Sequence, residues 1–236
     1  VTQLQLDLSD TTLDRLSQLY ADARASGWIP QSTANTIGRC SIDERIAETL
    51  IALRPGRMDG TDENRWPFRI TLQRADTVLR CRSFDLVPVK DDAPLRTWLL
   101  SKALADQGLP SMSLSLVEVR LSDRELGLYA MEERPDSVTL ARWGRGKGPI
   151  VRFDDELRIA LEARPQPSFA IDPLPQQDWL AAPVVASLGS ALEGDVNLQR
   201  LHRRTVEELN DLRAGRATVS EVFDVPSTAR MFALCD

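Results

Sequence analysis

The sequence predicts an α+β fold of bilobal plan, and three observations carry that expectation. Short runs of alternating polarity crowd residues 43–87 and 114–132, one long helix interrupts them, and helical periodicity dominates beyond residue 133. A chain of 236 residues is long enough for one large domain or two small ones with real cores. The expected division is 1–132 for a strand-rich lobe and 133–236 for a helical one.

In chain order, "LQLDL" (4–8) alternates as a short strand. Ser9 or Asp10 then caps a helix over 10–26, whose Leu13, Leu16, Tyr20 and Ala23 recur at helical spacing, and Gly27 and Pro30 end it. Strands are expected at 45–53, 67–73, 77–81 and 84–87. Asp91 or Asp92 precedes a helix over 92–107 that Gly108 and Pro110 close. "LSLVEVRL" (114–121) and "ELGLYAME" (125–132), joined by Ser122-Asp123, read as a hairpin. Period-2 runs with short turns favour antiparallel pairing, so one antiparallel sheet is expected, with the helix 92–107 packed against it.

The second lobe opens with a short helix near 136–142, then the Gly-rich "WGRGKGP" and a strand "IVRF". Residues 162–182 are rich in proline and read as a loop. Leu198, Leu201, Thr205, Leu209 and Leu212 set a helix over 195–214, and another begins near Pro226 and is still running at "MFALCD". The missing stop signal points to a domain that continues further.

The net charge of −6 argues against a general nucleic-acid binder, which is normally basic. Apolar runs fall far short of the roughly 20 residues that span a bilayer. No signal peptide precedes Leu4, and because the chain starts with Val rather than Met, removal of an upstream segment stays open. Cys40, Cys81 and Cys235 form no CxxC pair and read as buried thiols. His202 is the single histidine, so neither a His-built metal site nor a Ser/His/Asp constellation is expected.

Chemistry concentrates in "GRMDGTDENRWPFRITL" (56–72). The Gly60-Thr61-Asp62 turn runs into a strand, and such turns can aim backbone N–H groups at an anion. Arg65 and Arg69 place positive charge on or just before that strand. A plain surface loop is the alternative. "WGRGKGP" lacks phosphate-loop spacing and reads as a basic turn, while "RFDDEL" (152–157) reads as an acidic turn or a hard-cation site. On the helix 92–107 the apolar stripe is Leu95, Trp98 and Leu99, with Lys102 one turn on. A charge there needs a partner or must snorkel to water along its stem.

Taken in order, "RMDGTDENRWPFRITL", "FDLVPVKDDAPLRTWLLSKALADQGLP", "VEVRLSDRELGLYAMEERPD", "GPIVRFDDEL" and "SEVFDVPSTARMFALCD" resemble the CotH kinase family, named for a spore-coat protein. Gly127, Tyr129, Glu132, Glu133 and Asp136 carry the most specific part of the likeness. The resemblance implies a protein-kinase-like bilobal fold, with an antiparallel-sheet N-lobe, a packed helix and part of a helical C-lobe. It also implies ATP with Mg or Mn, phosphoryl transfer to Ser or Thr of a protein substrate, and an extracytoplasmic or cell-envelope setting. The nucleotide side would comprise Gly60, Thr61, Arg65, Arg69, Lys102, Glu133 and Asp136, with the catalytic loop and metal-binding aspartate beyond residue 236. Two positions depart from the family: Thr71 stands where relatives tend to carry a strand lysine, and Lys102 where the facing helix tends to carry a glutamate. A non-catalytic, pseudokinase-like binding module therefore stands beside the kinase reading.

Overall fold

The computed structural model describes residues 2–30, 35–42, 45–58, 65–73, 77–146, 148–153, 182–186 and 194–235. The chain divides into two compact units, Val1–Lys102 with Ser111–Arg134, and Ala103–Pro110 with Pro135–Asp236.

The first unit is a closed barrel. Its strands are β1 (Thr2–Asp7), β3 (Thr36–Ile42), β4 (Arg45–Leu53), β6 (Phe68–Leu72), β7 (Ser83–Pro88), β8 (Leu114–Leu121) and β9 (Arg124–Glu133), in the spatial order β1-β3-β4-β6-β7-β9-β8. Every neighbouring pair is antiparallel except the seam, where β8 returns to β1 in parallel from Thr2↔Val117 to Leu6↔Leu121. A short pair, β2 (Trp28–Ile29) with β5 (Gly56–Arg57), lies outside that sheet. Closure leaves no unpaired edge in the barrel sheet.

Alternate residues of each strand fill the interior. Leu4, Leu6, Ile51, Phe68, Ile70, Phe84, Leu86, Val117 and Tyr129 are buried completely, so the barrel holds a packed core. Helix α1 (Asp10–Ser26) adds Leu16, Tyr20 and Ala23 to the same cluster, and Tyr20 meets Trp66 with ring centroids 5.4 Å apart. Its start is fixed by Ser9, whose side chain accepts from the Thr12 N–H, and its end by Gly27 in the left-handed region.

The second unit contains α3 (Ser137–Arg142), the antiparallel pair β10 (Val151–Phe153) and β11 (Val184–Ala186), α4 (Val196–Arg213), α5 (Val219–Val222) and α6 (Val225–Cys235). Helix α2 (Ala93–Asp106) begins in the first unit and ends in the second.

The expected protein-kinase-like bilobal fold is overturned by this barrel. The strands expected at 43–87 and 114–132 do share one sheet, but it is mixed and closed rather than open and antiparallel. The cause is β1 and β3. An alternating run marks β1 as a strand without saying that it pairs on both sides. In β3, "TIGRCSI", Gly38 interrupts the apolar alternation where the strand crosses close to its neighbours. A Cβ built on Gly38 would lie 2.6 Å from the Leu8 side chain and 3.0 Å from the Asp7 carbonyl oxygen. The packed helix is also corrected: α2 buries none of its residues, and Leu95 and Leu99 are 57% and 54% exposed. The strand expected at 77–81 reduces to a single bridge, Val78↔Cys81, closing a tight turn.

Candidate functional site

Inward residues Phe68, Ile70, Phe84, Leu86 and Met131 force their neighbours onto the outer face of the barrel. The register then lines up Arg69, Asp85 and Glu132 side by side across β6, β7 and β9. Two further arginines join them from strand ends. Arg54 follows β4, held by its N–H to the Pro67 carbonyl, and Arg134 follows β9, held by its N–H to the Ser83 carbonyl.

Asp85 is the centre of this group. Its carboxylate accepts from Arg69 Nε at 3.0 Å, from Arg69 Nη2 at 3.2 Å and from Arg54 Nε at 3.2 Å, with Arg134 Nε 3.8 Å away. The Asp85 side chain is only 9% exposed, whereas the three arginines range from 23% to 38%. A buried carboxylate thus anchors three guanidiniums that still reach water. Glu132 Oε2 lies 3.7 Å from Arg54 Nη2. Burial pushes the Glu132 carboxyl above its usual range; the neighbouring Arg54 charge opposes that shift and Asp85 adds to it.

Charge favours an anion here: among the described residues the cluster has three guanidiniums against two carboxylates. A guanidinium presents its N–H donors in a planar fork that matches the oxygens of an oxyanion. Beside the cluster, Thr71 Oγ1 and Ser83 Oγ are 3.3 Å apart, and Arg134 Nη1 donates to Ser83 Oγ at 3.4 Å. Thr71 is thus paired within the sheet at the position where the family resemblance expects a lysine.

The expected site residues scatter. Arg69 belongs to the cluster. Gly60 and Thr61 lie outside the described residues, as do the acids of "RFDDEL" that follow Phe153. Arg65 donates to the backbone carbonyls of Val89 and Leu128 and stacks over Tyr129 at 5.5 Å, which makes it a brace between the end of β7 and the middle of β9. Glu133 faces the other way from Glu132, and its Oε2 accepts the Ser113 N–H at 2.8 Å. Asp136 caps α3, accepting from Val138 N at 2.8 Å and Thr139 N at 3.1 Å. Lys102 is exposed on α2, its ammonium 5.9 Å from the centre of the Trp98 ring.

Sequence reasoning passed over Arg54, Asp85 and Arg134. A signal for Asp85 was present: "FRI" (68–70) and "FDL" (84–86) each set one charge between two apolar residues, with opposite signs on neighbouring strands. Cys40 offers no competing chemistry, since burial, with Asp7 adding, pushes its thiol up to about 12.

The resemblance places the aspartate that would hold the implied Mg or Mn beyond residue 236. Among the described residues no group of three His, Cys, Asp or Glu side chains is placed to hold a metal ion. At the cluster a divalent cation would face three guanidiniums already gathered on Asp85. No protein-family model and no curated protein matches the chain.

Proposed function

We propose that this chain is a non-catalytic phosphate-binding module, taking a ligand such as ATP through its phosphates on the outer face of β6, β7 and β9. One observation carries the reading: Arg54, Arg69 and Arg134 converge on a buried Asp85 and stay partly open to water. Arginine suits this role because its planar fork binds phosphate oxygens in pairs. Catalysis is left out of this reading because Thr71 stands where relatives tend to carry the strand lysine, and the described cations nearest it, Arg69 and Arg134, are engaged with Asp85 and Ser83. Thr71 pairs with Ser83, and the Lys102 ammonium rests over Trp98.

A second reading, part of a CotH-like kinase that passes phosphate from ATP to Ser or Thr of a protein substrate, draws support from the ordered motifs alone. A thermal-shift titration separates the possibilities. The module reading expects ATP and inorganic tripolyphosphate to raise Tm alike without Mg²⁺, and adenosine to do nothing. Ligand at 100 times Kd adds about 2.7 kcal/mol. Stabilisation that requires Mg²⁺ or Mn²⁺, with phosphate transfer to protein, would favour the kinase. No shift at millimolar tripolyphosphate would overturn the module, and no shift with ATP and Mg²⁺ or Mn²⁺ either would overturn both.

A further inference from the structure

A concave surface lies along the first half of α2. It is a groove of about 890 Å³ whose lining includes Leu79, Val89, Asp91, Leu95, Trp98 and Leu116. That volume is in the range of ligand-binding clefts, roughly 300–1,000 Å³. Leu95, Trp98 and Leu116 are 57%, 40% and 47% exposed. Contiguous apolar surface left in water marks an interaction site more often than isolated exposed leucines do.

The groove wall is also strained. Leu79 has φ 47° and Arg80 φ 67°, the conformation of a tight turn that ordinarily takes Asn-Gly. A leucine held there sets an apolar side chain at the groove at a conformational cost, a pattern that tends to gather at functional sites.

Charge specifies the occupant. Asp91 is the one ionisable side chain among the described residues lining the groove, and its Oδ1 accepts the Ala93 N–H at 2.8 Å. The neighbouring Asp92 is engaged by Arg96 at 3.1 Å. Further along the helix, the Lys102 ammonium over Trp98 would repel a second cation. The chain's net charge of −6 adds long-range attraction for a basic partner. We propose that this groove docks a protein partner through a short apolar peptide segment bearing a single basic residue, with the apolar side chains on Leu79, Leu95, Trp98 and Leu116 and the cation on Asp91.

The test uses the full chain and two synthetic peptides, Leu-Leu-Lys-Leu-Leu and Leu-Leu-Glu-Leu-Leu, both blocked at their ends and followed by titration calorimetry. The lysine peptide is expected to bind at least tenfold more tightly than the glutamate peptide. Asp91→Asn, which keeps an acceptor for the Ala93 N–H, should erase that preference. Leu95→Gln, at an exposed position, should weaken the lysine peptide at least tenfold with Tm unchanged. Leu79→Gly should weaken it as well while relieving the turn, so its loss of binding would come without loss of Tm. Equal binding of the two peptides, or no binding of either at millimolar concentration, would overturn the proposal. Self-association of the chain that Leu95→Gln abolishes would overturn it too, by assigning the groove to a second copy.

Discussion

Glu132 and Asp85 are adjacent carboxylates on one sheet face with different surroundings. Asp85 gathers the arginines, whereas Glu132 meets Arg54 only at 3.7 Å and loses hydration without equal return. Burial therefore holds its carboxyl above the reference value of 4.5, with Arg54 working against the shift and Asp85 with it. The folded chain binds this proton more tightly than the unfolded chain. Its contribution to stability is thus fully present below the unfolded pKa and is lost as pH rises through the folded one. Glu132→Gln mimics the protonated group at every pH. Its Tm is expected to exceed that of the wild type at pH 7, with the gap closing towards pH 4; a gap that widens in acid would contradict this account. The same change removes a negative charge from the cluster and should tighten phosphate binding at pH 7.

At the scale of elements, the hairpin of β8 and β9 shows how a single backbone conformation sets a register. Val119 pairs with Gly127 but Arg120 pairs with Glu125, so Leu126 is the extra residue of a bulge. Gly127 sits beside it at φ 85°, where an added Cβ would meet nothing within 4 Å. The penalty of Gly127→Ala is then conformational alone, about 1–2 kcal/mol, and chemical denaturation should read it with an unchanged m-value. A neutral substitution would show that the backbone relaxes to negative φ. Much of this level was legible in the sequence. Helix 10–26 matches α1 because capping residues and an apolar stripe agree there, and 114–121 matches β8 because buried Val117, Val119 and Leu121 alternate with Glu118 and Arg120. The helix at 92–107 was legible as a helix but not in its packing, since an apolar stripe says that a face wants cover without saying that it receives any. Asp136 was legible as an acid in a motif, and only its hydrogen bonds identify it as a cap.

Closure of the barrel is the property of the first unit that local patterns could not announce. Strand β1 lies at the start of the described chain, yet it carries antiparallel partners in β3 and parallel partners in β8. A strand paired on both sides and filling the core with Leu4 and Leu6 should be well protected. Native-state hydrogen exchange should therefore find the hydrogen-bonded amides of β1 among the slowest, with those of β4 and β6. Fast exchange in β1 alone would mean an open sheet with a loosely attached strand. The proposed phosphate site depends on this architecture less than the core does, because its row of Arg69, Asp85 and Glu132 needs only three adjacent strands.

The central claim, that phosphate is bound by the guanidiniums gathered on Asp85, is tested most directly by following the arginine Nε–Hε signals by NMR during a titration with tripolyphosphate. The signals of Arg54, Arg69 and Arg134 are expected to move together with one Kd, and Arg69→Ala should weaken that Kd by roughly tenfold or more, since a charged hydrogen bond is worth about 1.5–3 kcal/mol. The Arg65 signal should stay in place, because that side chain is occupied by the carbonyls of Val89 and Leu128. Signals of Arg54, Arg69 and Arg134 that do not respond to tripolyphosphate, or binding that survives Arg69→Ala unchanged, would contradict the assignment.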